Sequence, residues 1–167
     1  MSEEKSGDSR SFRDTMGIFA TGVTVVTLES KELYGMTANA FSSLSLDPPL
    51  LLICVAKTAS MHEALSETSS FAVNILGENQ EGISTLFAKH GRMEEPLGGT
   101  PYHVGILGTP ILDDCVAFAE CKVRDQFPGG DHTIVVGEVV DFSSNDSSVD
   151  PLLFFKGRYR KLAKEAE

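Results

Sequence analysis

A mainly β fold, an antiparallel β-barrel with a few short α-helices packed against it, is predicted by three features of this 167-residue sequence. Short runs rich in Val, Ile and Thr are separated by turn-forming residues. Several runs come in pairs joined by tight turn chemistry, Lys31-Glu32 and Pro128-Gly129-Gly130-Asp131 above all. There is no βαβ succession and no GxGxxG, which excludes a Rossmann domain as a nucleotide site.

Residues 9–20 have helical spacing, with Phe12, Met16 and Phe19 on one side and Ser9 or Ser11 as cap. Thr21-Gly22 ends that helix, and residues 23–29 and 33–38 then form a hairpin. The stretch 39–46 is too rich in Ser for a core strand, and Asp47-Pro48-Pro49 breaks the chain. Residues 50–56 (LLLICVA) are apolar on both faces, as a central, covered strand requires. Ser60, with Glu63 three residues on, reads as a capping box that opens a helix over 61–67. Residues 70–76 form a strand, and 79–88 a helix with Ile83, Leu86 and Phe87 on one side. A Gly- and Pro-containing loop over 89–101 leads to a short strand or turn at 102–107. In 116–127, Val116, Phe118, Glu120 and Lys122 alternate with Ala117, Ala119, Cys121 and Val123, and 132–142 answers as the partner strand. After a polar loop at 143–150, 151–162 is a last ordered segment. The polar segment 1–10 is expected to be a disordered leader and 163–167 a frayed tail, leaving one domain over 11–162.

Hydrophobic residues make up 41% and charged residues 23%, an ordinary globular composition. No apolar run reaches about 18 residues, so no membrane span is expected. The N-terminus lacks the basic start and apolar stretch of a signal peptide, which points to the cytoplasm. A formal net charge of −10 argues against nucleic acid or an anionic membrane as partner. It also obliges any phosphate-bearing ligand to find its positive field in a small site. Cys54, Cys115 and Cys121, an odd set without CxxC spacing in apolar runs, read as buried structural thiols.

Residues 35–60 (GMTANAFSSLSLDPPLLLICVAKTAS) carry the strongest chemical signal. Thr37, Asn39, Ser42, Ser43 and Ser45 are interleaved with small Ala38 and Ala40, so backbone can approach a planar ligand and offer donors and acceptors to its edge. After the apolar strand, Lys57-Thr58-Ala59-Ser60 leads into a helix, and a helix N-terminus with two hydroxyls and a Lys suits a phosphate. A flat polar ring joined to a phosphate describes a flavin mononucleotide. A Ser-rich loop followed by an ordinary capped helix explains the same residues without any ligand.

Four segments in this order and spacing settle the matter at the level of family: FRDTMGIFATGVTVVT, GMTANAFSSLSLDPPLLLICV, SFAVNIL with the helix after it, and GDHTIVVGEVVDF with PLLFFKGRYRKL. Together they resemble the flavin reductase-like family of FMN-binding split barrels, the small reductase components of two-component flavin monooxygenases, over roughly 12–162. The resemblance implies a Greek-key split β-barrel, FMN or FAD as cofactor, NADH or NADPH as electron donor, a homodimer, and a flavin-dependent monooxygenase as partner. It places Thr37, Ala38, Asn39, Ala40, Ser42 and Ser43 along the isoalloxazine and ribityl chain; the family often has Ser where Ala40 stands. It places Ala56, Lys57, Thr58 and Ser60 at the phosphate, and Phe87 and Lys89 closing over the ring. His132 falls at the nicotinamide, and Tyr159, beside Arg158, lies near the site. On its own, a histidine just after a tight turn favours an exposed ring. His62, His90 and His103 read as surface residues, with His90 and Arg92 as weaker candidates for a second phosphate.

The flavin would carry the redox chemistry while the protein binds and orients. Hydride transfer needs no acid–base residue, which accounts for the lack of a catalytic carboxylate pair or Ser/His/Asp set. No basic cluster awaits a 2′-phosphate, a lean toward NADH. Two further readings fit the same residues: a split-barrel FMN protein that carries electrons or acts as an oxidase without NADH, and a non-enzymatic FMN- or haem-binding module.

Overall fold

The computed structural model describes residues 9–89, 95–145 and 148–163. In chain order the elements are α1 (Ser9–Met16), β1 (Thr21–Gly22), β2 (Thr24–Glu29), β3 (Leu33–Ala38), β4 (Phe41–Leu46), β5 (Pro49–Ala56), α2 (Ser60–Glu67), β6 (Ser70–Ile75) and α3 (Glu81–Phe87). A 3-10 turn at Pro96–Gly99 precedes β7 (Tyr102–Val104), β8 (Pro110–Leu112), β9 (Ala117–Gly129), β10 (His132–Ser144), β11 (Leu153–Phe155) and β12 (Arg158–Arg160). The fold is mainly β and its ladders are antiparallel, as expected.

Seven strands form the main sheet in the order β3-β2-β6-β9-β10-β5-β4, with β1-β11-β12 and β7-β8 as small satellites. The two edge strands, β3 and β4, are consecutive in sequence and joined only by Asn39 and Ala40. So short a link forces the sheet to curl until its edges meet. Side chains alternate across each strand. Val26 and Leu28 therefore join one apolar cluster with Ile53, Val55, Phe71, Val73 and Val135, sealed by Met61, Ala64 and Leu65 of α2. Val23 and Val25 join a second cluster with Leu76, Phe87, Leu97, Leu112 and Leu152.

Several local expectations are corrected. The first helix stops at Met16, where Gly17, Ile18 and Phe19 turn back by hydrogen bonds to Arg13, Thr15 and Met16. None of its residues is buried, and Phe12, Met16, Ile18 and Phe19 are all exposed. The Ser-rich 41–46 stretch is a strand after all, but an exposed edge where Ser faces water at no cost. It meets β5 through a cis Asp47–Pro48 peptide. Strand β5 is covered on one face only: Leu51, Ile53 and Val55 are buried while Leu50, Leu52, Cys54 and Ala56 are half-exposed. No capping box forms, because α2 begins at Ser60 itself behind an extended Ala59 and no side chain caps it. In the β9–β10 turn, Pro128 and Gly129 belong to the strand, and Gly130-Asp131 alone make the bend. Gly130 supplies the positive φ (70°) that a two-residue hairpin loop needs.

Glu120, placed by alternation on the polar face of its strand, is fully buried. The loop before β8 lies over it: its Oε1 accepts from the backbone N–H of Leu107 (2.7 Å) and Thr109 (3.3 Å) and from the Thr109 hydroxyl (2.7 Å). Gly105 leaves the room; a Cβ there would press on the carboxylate at 2.6 Å. Buried Asn74 fixes the same hairpin, donating to the Val25 carbonyl and Thr27 hydroxyl and accepting from Leu112 N–H. All three cysteines are free. Burial pushes the Cys115 thiol up to about 11 and the Cys121 thiol up to about 12. Cys54 departs from the expected burial: it is half-exposed.

Two predictions follow from this packing. Glu120→Ala orphans the loop donors and should cost about 2–4 kcal/mol in urea unfolding, with Glu120→Gln losing less because it keeps an acceptor oxygen. A thiol reagent such as DTNB at pH 8 should titrate one cysteine, Cys54, in the native protein and all three in denaturant.

Candidate functional site

The curl of the sheet leaves a cleft of about 600 Å³ between the β3–β4 junction, the C-terminal end of β5, the first turn of α2 and the end of α3. Its small-residue wall is Ala38, Ala40 and Ala56. Ala40 is held beside β5, where the Cys54 amide donates to its carbonyl (3.0 Å), and Ala56 ends that strand. At one end lie Thr58, Ala59, Ser60 and Met61. No side chain caps α2. The Ala59 and His62 amides donate to the Ala56 and Ala59 carbonyls, so the Ser60 and Met61 amides and the helix's partial positive charge are what this end offers a ligand. This end fits a phosphate, and the small-residue wall fits a flat ring.

The hairpin turn between β9 and β10 closes the same end. Ala56 and His132 are direct partners in the β5–β10 ladder. Lys57 clamps the turn twice, its amide donating to the Asp131 carbonyl (3.0 Å) and its ammonium to the Gly130 carbonyl (2.6 Å). Its charge therefore sits at the cleft but its hydrogen bond is already given to the hairpin. His132 Nδ1 meets Asp131 Oδ1 at 2.7 Å, and that contact holds the Asp131 carboxyl below its ordinary value. With Nδ1 so engaged, Nε2 remains for a ligand. His62, on the first turn of α2, meets the Thr133 hydroxyl at 2.9 Å through Nε2, tying that turn to β10.

At the other end, Thr37, Asn39 and Ala88 line both the cleft and an adjoining cavity of about 140 Å³, which Val23, Ser84, Phe154 and Tyr159 complete. The Thr37 hydroxyl donates to the Ser84 carbonyl (2.7 Å), and the Ser84 and Tyr159 hydroxyls are 2.8 Å apart.

The structure thus gathers Thr37, Ala38, Asn39, Ala40, Ala56, Lys57, Thr58, Ser60, Phe87, Lys89 and His132 around one cleft. Tyr159 lines only the side cavity. Ser42 and Ser43 do not reach the cleft: they stand exposed on edge strand β4, where the Ser42 hydroxyl donates to the Ser43 carbonyl. Phe87 is a wall and not a lid; it is buried with its ring against Gly35, where a Cβ would collide with it. Gly35, Met36, Cys54, Met61, Glu63 and Ala88 also line the cleft without having been expected there, and His62, expected at the surface, is among them. The half-apolar, half-small pattern of β5 was the available signal for Cys54; nothing local marks His62. His103 is exposed and paired with Asp113 (2.9 Å), while His90 and Arg92 lie outside the described residues.

Comparison with known proteins agrees with this geometry. The flavin reductase like domain model matches residues 16–163. An FMN reductase (NADH) of Agrobacterium fabrum is 40% identical over 159 residues, covering 95% of this chain and 88% of that protein. An NADH-dependent FAD reductase of Streptomyces globisporus is 41% identical over 166 residues, covering 96% and 89%. A relative from Rhizobium meliloti, 40% identical over 154 residues, is longer, and the chain spans 48% of it. Among solved structures, the NADH:FAD oxidoreductase of Streptomyces globisporus in complex with NAD and FAD fragments superposes with a TM-score of 0.90 at 40% identity, covering 96% of each chain. With a family model across most of its length and near full-length relatives at 40% identity, the chain belongs to the flavin reductase-like family.

Proposed function

We propose that the protein is an NADH-dependent flavin reductase that binds FMN or FAD in the cleft and supplies reduced flavin to a flavin-dependent monooxygenase. The observation that carries this is the pairing, in one cleft, of an uncapped helix N-terminus with a wall of small residues, in a chain of this family. Relatives named as reductase subunits of flavin-dependent monooxygenases, such as the one from Mycobacterium tuberculosis at 34% identity, support the partner. The meeting of edge strands at Asn39-Ala40 supports the finer description of the fold as a Greek-key split barrel.

When bound, the flavin accepts hydride from NADH and supplies the redox chemistry. The Ser60 and Met61 amides of α2, with the Thr58 and Ser60 hydroxyls, hold its phosphate, and Lys57 adds charge there while fixing the hairpin. Ala38, Ala40 and Ala56 let the backbone approach the ring. His132, oriented by Asp131, presents Nε2 to the nicotinamide. These few cationic groups give the anionic cofactors a local positive field that a chain of net charge −10 otherwise lacks.

The α1 region also needs a partner. A single eight-residue helix with no buried side chain is not stable alone in water. Its patch of Phe12, Met16, Ile18 and Phe19 (79% exposed) is of the kind that marks an interface. We assign that patch to a homodimer. No described helix is long and apolar enough to cross a membrane, and the three free thiols suit a reducing cytoplasm.

Four outcomes test this reading. NADH oxidation should depend on added FMN or FAD, and the flavin with the higher kcat/KM is the preferred one; no oxidation with either flavin would overturn it. His132→Ala should raise KM for NADH about tenfold, the worth of one good hydrogen bond, and leave flavin KM unchanged. Ala56→Phe fills the cleft and should abolish flavin binding, measured by fluorescence quenching, while Phe19→Asp should shift the protein from dimer to monomer in light scattering.

A further inference from the structure

Strand β3 is an edge of the main sheet: it pairs with β2 and has no strand on its outer side. Its backbone nevertheless forms the cleft wall from Gly35 to Ala38. Packing on its faces holds the strand: α2 and the 3-10 turn at 96–99 both lie against β3, and on the face that carries Gly35 and Thr37 two contacts come from α3. Phe87 packs on Gly35, and the Thr37 hydroxyl donates to the Ser84 carbonyl at 2.7 Å. That carbonyl already accepts from Ala88 N–H (3.0 Å), so both its lone pairs are engaged. Ser84 is fully buried, and its hydroxyl meets that of Tyr159 at 2.8 Å. Tyr159 stands on β12, held edge-on against Phe154 of β11 with ring centroids 5.5 Å apart.

Ser84 thus links the C-terminal hairpin to the edge strand of the cleft, its hydroxyl meeting Tyr159 and its backbone carbonyl accepting from Thr37. We infer that Ser84 and Tyr159 are positioning residues for the flavin ring, acting through Thr37. Tyr159 fixes Ser84, the Ser84 carbonyl fixes Thr37, and Thr37 sets the position of the 37–39 stretch that lines the cleft. Tyr159, which the resemblance puts near the site, thus acts through Ser84, which its hydroxyl meets. The same link explains why Thr37 lines the site without offering its donor to a ligand. The inference rests on the placement of the flavin in this cleft.

Tyr159→Phe removes only the hydroxyl and keeps the ring packing; Thr37→Val keeps the shape and removes the donor. Each should raise KM and Kd for FMN about five- to tenfold; for Tyr159→Phe, at a position outside the cleft, KM for NADH should stay within twofold of wild type. Thr37→Ser restores the donor and should restore FMN affinity. Ser84→Ala combined with Tyr159→Phe should be no worse for FMN than Ser84→Ala alone, because both break one link. FMN constants unchanged in Tyr159→Phe and Thr37→Val, or no rescue by Thr37→Ser, would overturn the inference. Ala56→Phe separates the two levels. If it abolishes FMN binding while the Tyr159 and Thr37 variants have no effect, the positioning role alone is lost; if FMN binding survives it, the flavin lies elsewhere and the positioning role falls with that placement.

Discussion

The link Asn39-Ala40 is the constraint on which the rest of the molecule depends. The three Cα–Cα steps from Ala38 to Phe41 span at most about 11 Å, yet they connect the opposite edges of a seven-stranded sheet. The sheet must curl, and the curl brings β3, β5 and the first turn of α2 into one cleft. The same curl gives β2 two covered faces, so Val25 and Val26 serve different apolar clusters. The short edge link and the site are therefore tied together. A change that loosened the edge junction would open both.

Around that cleft the polar groups divide into those committed to the fold and those left for a ligand. Lys57 is committed to the Gly130 carbonyl, His62 to Thr133 and Thr37 to Ser84. The Ser60 and Met61 amides of α2 and the outward nitrogen of His132 are left over. This division is typical of a protein whose bound cofactor supplies the chemistry: side chains build a stiff, small-walled slot, and backbone donors meet the ligand. The acidic surface around it makes this local field the main electrostatic guide for anionic cofactors.

The exposed α1 patch and the C-terminal hairpin belong together. Strand β1, which follows α1, pairs with β11, and β11 pairs with β12, which carries Tyr159. An interface that seats α1 would thus lie one short sheet away from the Tyr159–Ser84–Thr37 link that steadies the cleft wall.

Most strands were legible in the sequence because alternation, β-branching and turn chemistry are local: β2 and β3, the β9–β10 hairpin and its Gly130 bend needed no tertiary information. The cleft segment 37–60 was legible for the same reason, as small and hydroxyl residues on either side of an apolar strand. What the sequence could not decide were matters of distance along the chain. Glu120 reads as a surface residue until the 105–109 loop folds over it and offers three donors. Ser42 and Ser43 read as ligands until edge-strand pairing turns them to solvent, and His62 reads as surface until α2 docks beside β10. The sequence by itself determined the strand pattern, the family and the residue types of the site. Only the tertiary structure decided which of those residues share the cleft, because burial and hydrogen-bond partners are set by elements far apart in the chain.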